Sequence, residues 1–337
     1  MRAAILTEYK KIQIGERPEP PIGRHDVLIE VRACGLCPTD YRLYAGISTW
    51  KKPPMVLGHE PSGIVVKVGE EVRNIVIGDT VAGDIVRRCG YCRECVAGRE
   101  NLCRNRKILS EGALAKYIAA NEIYINKFSR VTFDEATFSE PLACVINGQK
   151  NSRVAAGDRV AIIGAGQIGL MHMQISKLLG AETIMIDLRQ ERLDVATKLG
   201  SDHTINSQNE DAISKVKEIT EGYGTDKVII AVGNSKAVEL GAQIIAKMGS
   251  LNLFGSISPP TETGLDLNLI HHGEISLVGS FDKTRSDLRL ATKLIDEKKI
   301  DVKTLISHSY DLEESQKAFE SLEAGTGTKV IVRPSGE

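Results

Sequence analysis

The feature that most constrains the fold is a glycine-rich loop directly after a short apolar run. Val160-Ala-Ile-Ile163 leads into Gly164-Ala-Gly166-Gln-Ile-Gly169. This order predicts a buried strand that turns sharply into a helix. Gly164 would permit the turn, Gly166 would leave room for an anion, and Gly169 would let the helix approach the strand. Since a helix N-terminus attracts phosphate groups, the loop predicts a dinucleotide pyrophosphate site comprising Gly164, Gly166, Gln167, Ile168 and Gly169.

The following predicted strand ends in an acidic residue. Thr183-Ile-Met-Ile186 is followed by Asp187, which lies 21 residues after Gly166. A carboxylate at this spacing accepts hydrogen bonds from the hydroxyls of an adenosine ribose and repels a 2′-phosphate, so it favours NAD. Arg189 and Arg192 follow closely and could accommodate a phosphate, which leaves NADP as the alternative.

Alternating strands and helices continue for roughly 140 residues and predict an α/β, doubly wound parallel sheet. The predicted cofactor domain spans residues 143–281. Its candidate strands are Val160–Ile163, Thr183–Ile186, His203–Ile205, Lys227–Val232, Ser250–Phe254 and Ile275–Val278. The helix after the glycine loop should present Ile168, Met171, Ile175 and Leu178 on one face. Further predicted cofactor contacts lie mostly near the strand ends: Arg192, Val232, Gly233, Phe254, Gly255, Ser280 and Phe281.

The chain up to about residue 140 has a different texture, with short β-rich runs separated by turn residues. Asp26–Arg32 alternates, Ser62–Val68 is rich in Val and Ile, and Val76–Ala82 contains a Gly-Asp turn. These runs predict an antiparallel or barrel-like β domain. Ser286–Lys298 is predicted as a helix, and Lys329–Val332 as a final strand that returns to the first domain. That domain is therefore predicted to comprise residues 1–142 and 282–337.

Four of the seven cysteines lie in one turn-rich loop: Cys89, Cys92, Cys95 and Cys103. Four thiolates so close together require a cation, and tetrahedral zinc with four sulfurs leaves no open position. The spacing therefore predicts a structural zinc site, with an iron–sulfur cluster as the alternative. Six nearby arginines are expected to offset its residual negative charge: Arg87, Arg88, Arg93, Arg99, Arg104 and Arg106.

The charge balance bears on partners and location. The chain has 43 Lys+Arg against 44 Asp+Glu, a formal net charge of −1. Without excess basic side chains, neither nucleic acid nor anionic membrane is an expected partner. The apolar run at the N-terminus is too short for a signal-peptide core. We therefore predict a cytoplasmic protein, where clustered cysteines favour metal ligation over disulfides.

Three further segments complete a recognisable pattern. They are Cys34-Gly-Leu-Cys37-Pro-Thr39-Asp40, Gly58-His59-Glu60 and Glu140-Pro141. In this order, with the cysteine and glycine loops, they resemble the zinc-dependent medium-chain dehydrogenases, especially the sorbitol and polyol branch. The resemblance spans nearly the whole chain. It implies a GroES-like β-barrel catalytic domain beside a Rossmann domain, with the active site between them.

The resemblance also implies roles for particular residues. Cys37 and His59 would bind a catalytic zinc, and Glu60 and Glu140 are the candidates for its remaining ligand and for holding its water. Thr39 resembles the hydroxyl that passes the alcohol proton towards solvent. Each subunit would then hold two zinc ions, one catalytic and one structural, and NAD would accept hydride. The family further implies a homotetramer or homodimer.

Departures from the family pattern bear on the substrate. Arg42 stands where alcohol dehydrogenases have a proton-relay histidine, and Asp282-Lys283 replaces the Arg-Tyr pair of sorbitol dehydrogenases. The segment between Cys103 and Gly112 is also shorter than usual. Lys51 and Lys52 could contact a sugar phosphate, although such a pair is often simply solvated.

The sequence thus supports a dehydrogenase of a polyol, sugar acid, cyclitol or sugar phosphate. One alternative is a dehydrogenase of a simple alcohol or threonine. Another is a non-enzymatic NAD-binding zinc protein.

Overall fold

The computed structural model describes residues 1–257, 261–325 and 327–335. The chain folds into two units, each with its own internal packing. Unit 1 comprises Met1–Ala143 and the chain from Lys283 onward, and unit 2 comprises Cys144–Asp282. Within the described ranges, no helix combines the length and apolar character needed to cross a bilayer.

The described strands, in chain order, are β1 (Arg2–Glu8), β2 (Lys11–Glu16), β3 (Asp26–Leu36), β4 (Met55–Val56), β5 (Glu60–Val68), β6 (Thr80–Gly83), β7 (Val86–Arg87), β8 (Lys107–Ile108), β9 (Tyr117–Asn121), β10 (Ile125–Lys127), β11 (Arg159–Ile163), β12 (Glu182–Asp187), β13 (His203–Asn206), β14 (Thr225–Ile230), β15 (Ile245–Leu253), β16 (Ser276–Gly279), β17 (Ile306–Asp311) and β18 (Lys329–Arg333). The described α-helices are α1 (Pro38–Tyr44), α2 (Arg93–Val96), α3 (Phe133–Ala136), α4 (Ser139–Ser152), α5 (Gln167–Leu178), α6 (Gln190–Lys198), α7 (Ala212–Ile219), α8 (Ser235–Ile244), α9 (Leu267–Gly273), α10 (Arg285–Asp296) and α11 (Ser315–Glu323). Short 3₁₀ turns occur at Glu100–Leu102, Glu122–Tyr124, Lys303–Leu305 and Leu312–Glu314.

Unit 1 is built around a mostly antiparallel sheet, which confirms the predicted β domain. Its strand order is β10-β6-β5-β3-β18-β17, and β9 pairs with β3. The long strand β3 buries Val27, Ile29 and Val31 in the core, while Glu30 and Arg32 are only partly buried. Burial alternates only from Ile29 to Ala33, because Leu28 and the stretch from Ala33 to Leu36 are buried as well, so most of β3 is covered on both faces. A smaller sheet has the order β2-β1-β4.

The C-terminal tail adds its last strand to unit 1, as the sequence predicts. β18 pairs antiparallel with β3, where Val330 faces Leu36 and Val332 faces Cys34, and parallel with β17. Lys329, the first residue of β18, is completely buried. The tail therefore places a lysine from the end of the chain inside a domain that is otherwise mostly N-terminal.

Unit 2 contains a six-stranded parallel sheet with the order β13-β12-β11-β14-β15-β16. Numbered within the sheet, this is the 3-2-1-4-5-6 order of a doubly wound fold. All six predicted strands are present, and the sequence-based fold class is confirmed. The largest difference is at β15, which begins at Ile245 rather than at the predicted Ser250. There Met248 has a φ of 65° and is 78% exposed.

Two predicted helices also match. The helix after the glycine loop is α5, and the turn that ends it includes Gly180 with a φ of 84°. The predicted apolar face is buried at Met171 and Ile175, whereas Leu178 near the C-terminus is 49% exposed. The charged helix predicted at Ser286–Lys298 is α10, which starts one residue earlier behind an N-cap Thr284.

Candidate metal and cofactor sites

The turn into helix α1 positions Cys37 beside His59. Cys37 is the N-cap of α1, and its Sγ accepts a hydrogen bond from the backbone of Thr39 at 3.3 Å. The Cys37 Sγ lies 3.3 Å from His59 Nε2. Thr39 itself is exposed in the first turn of the helix, and Arg42 lies in the same helix. Local helix capping thus brings together two predicted metal ligands that are far apart in the sequence.

Asp40 holds both of these residues in place. Its Oδ2 accepts from the Cys37 backbone at 3.1 Å, and its Oδ1 accepts from the Gly58 backbone at 2.9 Å. The same Oδ1 lies 3.2 Å from His59 Nδ1. A carboxylate on one imidazole nitrogen orients the other nitrogen and makes it a better metal ligand. Asp40 therefore prepares His59 Nε2 to bind a cation.

The protein surroundings of His59 favour a positive charge. Burial alone would lower the pKa of this imidazole, but the negative charges of Asp40 and Cys37 raise it well above its ordinary value. Burial opposes ionisation of Asp40 as well, yet His59 keeps the pKa of that carboxyl low. A proton and a metal compete for the same imidazole nitrogen. The site therefore attracts either a proton or a metal cation.

Glu60 contributes the third donor. Its carboxylate is 1% exposed, and Oε2 accepts a hydrogen bond from the buried ammonium of Lys329. Oε1 has no hydrogen-bond partner among the described residues. One donor atom from each of Cys37, His59 and Glu60 can be chosen so that all three lie within 4.8 Å of one another. Burial raises the pKa of Glu60, and the charge of Glu140 adds to this effect, although Lys329 opposes it.

Glu140 has a different environment from Glu60. It is the second residue of α4 and accepts a hydrogen bond from the Lys283 ammonium. Lys283 also pairs with Asp84 at 3.1 Å. In the part of the chain that the structure describes, the 4.8 Å donor group around Cys37 and His59 includes Glu60 but not Glu140.

The four loop cysteines converge as the sequence predicts. Measured between Sγ atoms, Cys89 lies 3.6 Å from Cys103 and 3.9 Å from Cys95, and Cys92 lies 4.0 Å from Cys103. Burial resists ionisation of Cys89, but backbone donors from Tyr91 and Cys92 lower its pKa to about 6. Arg88, one of the six arginines expected to offset the charge of this loop, is instead buried, and its Nη1 atom lies 2.5 Å from Asp84 Oδ2.

Three charged residues near the acidic candidates were not predicted from the sequence: Asp84, Lys283 and Lys329. Lys283 stands out only as a substitution in the family pattern. Lys329 begins an apolar run, where a lysine ordinarily marks the exposed end of a strand. Asp84 carries no motif at all. Their burial depends on strand pairing and on the return of the tail, neither of which is local in sequence.

In unit 2, the glycine loop follows β11 and opens α5. Gly164 has a φ of 107°, and a Cβ on Gly169 would lie 1.7 Å from the Gly164 carbonyl oxygen. A Cβ on Gly166, by contrast, would meet no protein atom within 4 Å. Gly166 is the N-cap of α5 and supplies no side-chain cap. The Oε1 atom of Gln167 lacks a partner among the described residues.

Asp187 ends β12 beside this loop. Its Oδ2 accepts from the Ala165 backbone at 2.6 Å, and its Oδ1 accepts from the Arg189 backbone at 2.9 Å. These bonds hold the carboxylate next to the glycine loop. Arg192 is partly buried in α6.

The remaining cofactor candidates follow the carboxyl ends of parallel strands. Val232 and Gly233 follow β14, Phe254 and Gly255 follow β15, and Ser280 and Phe281 follow β16. Because all six strands run parallel, these ends lie along one edge of the sheet, where doubly wound folds bind their ligands. Gly255 donates to the carbonyl of Ile230 at 2.8 Å, and Phe281 is 57% exposed.

Comparison with known proteins identifies the family. Residues 23–130 match the alcohol dehydrogenase GroES-like domain, and residues 168–297 match the zinc-binding dehydrogenase family. The chain is 34% identical to a sorbitol dehydrogenase from Halalkalibacterium halodurans over 99% of each chain. It is 33% identical to an L-threonine 3-dehydrogenase from Caldanaerobacter subterraneus, again over 99% of each.

A solved structure supports the same assignment. A zinc-binding dehydrogenase from Sinorhizobium meliloti, bound to NADP, superposes with a TM-score of 0.91 at 29% identity and covers 99% of each chain. The family and the structural similarity both favour an enzyme over a non-enzymatic NAD-binding protein. The chain belongs to the zinc-dependent medium-chain dehydrogenases, in the branch that contains the sorbitol dehydrogenases, and is a zinc-containing alcohol or polyol dehydrogenase.

Proposed function

We propose that this protein is a zinc- and NAD-dependent oxidoreductase that interconverts a secondary alcohol with its ketone. The substrate would be a polyol, a sugar acid, a cyclitol or a sugar phosphate. The observation that carries the proposal is the convergence of Cys37, His59 and Glu60, each of which offers one donor atom within 4.8 Å of the others. In addition, the buried Oε1 atom of Glu60 has no partner among the described residues. Sulfur, imidazole and carboxylate donors are the set that a catalytic zinc uses.

Charge supports a divalent cation at this place. With Cys37 counted as a thiolate and His59 as neutral, as both must be when they bind a metal, the five acidic groups outnumber the three basic side chains by about two charges, which a zinc ion would balance. The acidic groups are Cys37, Asp40, Glu60, Asp84 and Glu140, and the basic ones are Arg88, Lys283 and Lys329.

We assign Cys37, His59 and Glu60 as direct ligands of the catalytic zinc. Glu140, held by Lys283, would orient a water molecule or the substrate hydroxyl. Zinc at this position would supply a Lewis acid that makes a substrate hydroxyl more acidic. Thr39, exposed in α1, would accept the released proton and pass it to solvent. Asp40 would accept the Nδ1–H of His59 and so orient Nε2 towards the metal.

The four-cysteine loop fits a structural zinc. Sulfurs around a tetrahedral zinc lie about 3.8 Å apart when each Zn–S bond is about 2.3 Å. The three measured separations of 3.6, 3.9 and 4.0 Å agree with a single ion. In an iron–sulfur cluster the four cysteines would bind different irons, one each in a 4Fe–4S cluster and two per iron in a 2Fe–2S cluster, so sulfurs on different irons would lie farther apart. We therefore propose two zinc ions per subunit.

The open space above Gly166 fits a pyrophosphate, and Asp187 favours NAD over NADP. A 2′-phosphate would meet a carboxylate already held by two backbone donors. NADP is the competing cofactor, since the similar protein from S. meliloti was solved with NADP bound. Direct comparison of the two cofactors in the same assay would decide. We further propose a homo-oligomer, either a tetramer or a dimer.

The proposal is tested by steady-state reduction of NAD with a panel of polyols, sugar acids, cyclitols and polyol phosphates. Threonine and simple alcohols serve as the competing substrate classes. Activity should be lost on chelation and restored by zinc. Preferential turnover of threonine would shift the assignment to the branch of the C. subterraneus relative, and turnover without the catalytic zinc would refute the mechanism. Among these substrates, the phosphates also test Lys51, which donates to the Glu111 backbone at 3.3 Å, and the exposed Lys52.

A further inference from the structure

A buried row of charged side chains connects the four-cysteine loop with Glu140. Arg88, directly before Cys89 in the sequence, places Nη1 2.5 Å from Asp84 Oδ2. The same Asp84 oxygen lies 3.1 Å from the Lys283 ammonium, which in turn donates to Glu140 Oε1. Every side chain in this row is less than 10% exposed. We refer to Arg88, Asp84, Lys283 and Glu140 as the charge row.

The first half of the charge row is rigidly anchored. Asp84 Oδ1 accepts from the Val86 backbone at 2.9 Å, and Arg88 Nη1 also donates to the Val86 carbonyl at 2.9 Å. The Arg88 guanidinium lies 5.2 Å from the centre of the Tyr124 ring. Because each of these groups has several partners, Arg88 and Asp84 are held in place and give Lys283 a fixed carboxylate to pair with. Hydrogen bonds to charged groups in buried networks strengthen one another.

Lys283 is the movable member of the row. A lysine side chain has four rotatable bonds and presents a compact charge with no directional preference, so its ammonium stays in one place only if anions hold it there. Asp84 supplies one such anion and Glu140 supplies another. The position of the Glu140 carboxylate therefore depends on Asp84 and, through Asp84, on Arg88.

We propose that Lys283 is a positioning residue that fixes the Glu140 carboxylate for catalysis and links its placement to the fold of the four-cysteine loop. This inference rests on the proposed function, since it takes Glu140 to act beside the catalytic zinc. It extends that function by giving the cysteine loop a role in arranging the active site.

The test compares Lys283→Met and Arg88→Met with Lys293→Met as the matched control. Lys293 is also a lysine, but it is 66% exposed and pairs with Glu297 at 3.8 Å near the end of α10, outside both the charge row and the cysteine loop. Removing a residue that orients a metal site typically reduces activity or metal affinity about 10- to 100-fold. We expect Lys283→Met to reduce kcat in this range and Lys293→Met to leave it unchanged. NAD affinity should remain within about twofold of wild type in all three variants, because the glycine loop belongs to unit 2.

Arg88→Met separates positioning from simple charge neutralisation. Arg88 does not act on Glu140 directly in this account, so its loss should reduce kcat only through Lys283, by about threefold to tenfold. In a chain that already carries Lys283→Met, the same substitution should reduce kcat no further. If the double variant loses kcat by the product of the two single losses, the proposed link between Arg88 and Lys283 is wrong. If Lys283→Met fails to fold, the double variant Asp84→Asn/Lys283→Met serves in its place, because it removes one charge of each sign and so leaves no extra buried negative charge.

A second readout is independent of turnover. With cobalt in place of the catalytic zinc, the visible spectrum reports the surroundings of the metal. Lys283→Met should change this spectrum, while Lys293→Met should not. A folded Lys283→Met protein with the wild-type spectrum and kcat would overturn the proposal. If the wild-type protein oxidises none of the tested alcohols, the proposed function fails, yet an altered cobalt spectrum in Lys283→Met would still support the positioning role.

Discussion

Replacing Asp40 with asparagine tests how the protein prepares its metal site. The side chain is 2% exposed and keeps the size of the original residue after substitution, so the change removes charge and one acceptor without leaving a cavity. At present Oδ2 accepts from the Cys37 backbone, and Oδ1 accepts from Gly58 and faces His59. An asparagine can offer only one acceptor oxygen.

The structure gives the expected magnitudes. Whichever way the amide is oriented, its NH₂ group faces a backbone N–H, either that of Cys37 or that of Gly58. An unsatisfied buried donor costs about 1–3 kcal/mol, so we expect Asp40→Asn to lower the free energy of unfolding by this amount. The substitution also removes the carboxylate behind His59, for which the typical loss of metal affinity is about 10- to 100-fold.

The assay is competition for zinc with a chromophoric chelator, combined with thermal unfolding. Asp79→Asn is the matched control, since Asp79 also accepts from a backbone donor, Val76, and pairs with Lys127. Asp79→Asn should leave the affinity of the catalytic zinc unchanged. If Asp40→Asn binds zinc as tightly as wild type while remaining folded, the assigned role of Asp40 is refuted.

Three other predictions concern acid stability, cofactor binding and the structural zinc. His172 is completely buried, and burial lowers its pKa to about 3. Because its imidazole is protonated more readily in the unfolded chain, the free energy of unfolding is highest above the unfolded pKa and falls as the pH falls below it. Unfolding titrations should show a loss of about 2 kcal/mol between pH 8 and pH 5, and His172→Met should abolish this loss. Gly166→Val should raise the Kd for NAD about tenfold or more, because its Cβ would enter space that holds no protein atom within 4 Å and that the pyrophosphate needs. The melting temperature should fall only slightly, since valine is a poorer N-cap than glycine; normal NAD binding by calorimetry would contradict the expected rise in Kd. Cys95→Ser should reduce bound zinc from about two ions to about one per chain and lower the melting temperature, and unchanged metal content would count against a four-sulfur site.

The parallel sheet could be predicted in full because its signals are local. Each strand is a short apolar run, and the glycine loop fixes where the first strand becomes a helix. Strand boundaries were less accurate where tertiary packing decides them, as in β15, which begins five residues before the predicted start. The return of the tail was predictable from the apolar run at Lys329–Val332, but its partner strand was not.

The candidate site was predictable only as a set of ligands. The motifs that contain Cys37, His59, Glu60 and Glu140 were recognisable. The sequence could not indicate, however, which of the two glutamates is the better candidate for a direct metal ligand. That distinction depends on Lys329 and Lys283, two lysines from the last part of the chain that pair with Glu60 and Glu140 respectively. Buried ion pairs between residues so far apart in sequence have no local pattern, since either partner alone looks like an ordinary surface charge.

The central claim is that Cys37, His59 and Glu60 hold a zinc ion on which alcohol oxidation depends. The most direct measurement is NADH formation from the best polyol substrate by wild-type protein, by protein stripped of catalytic zinc, and by stripped protein after zinc is restored. Metal content is measured in parallel. The account predicts that activity disappears with the catalytic zinc and returns in proportion to zinc rebound. Undiminished NADH formation after that zinc is removed would contradict it.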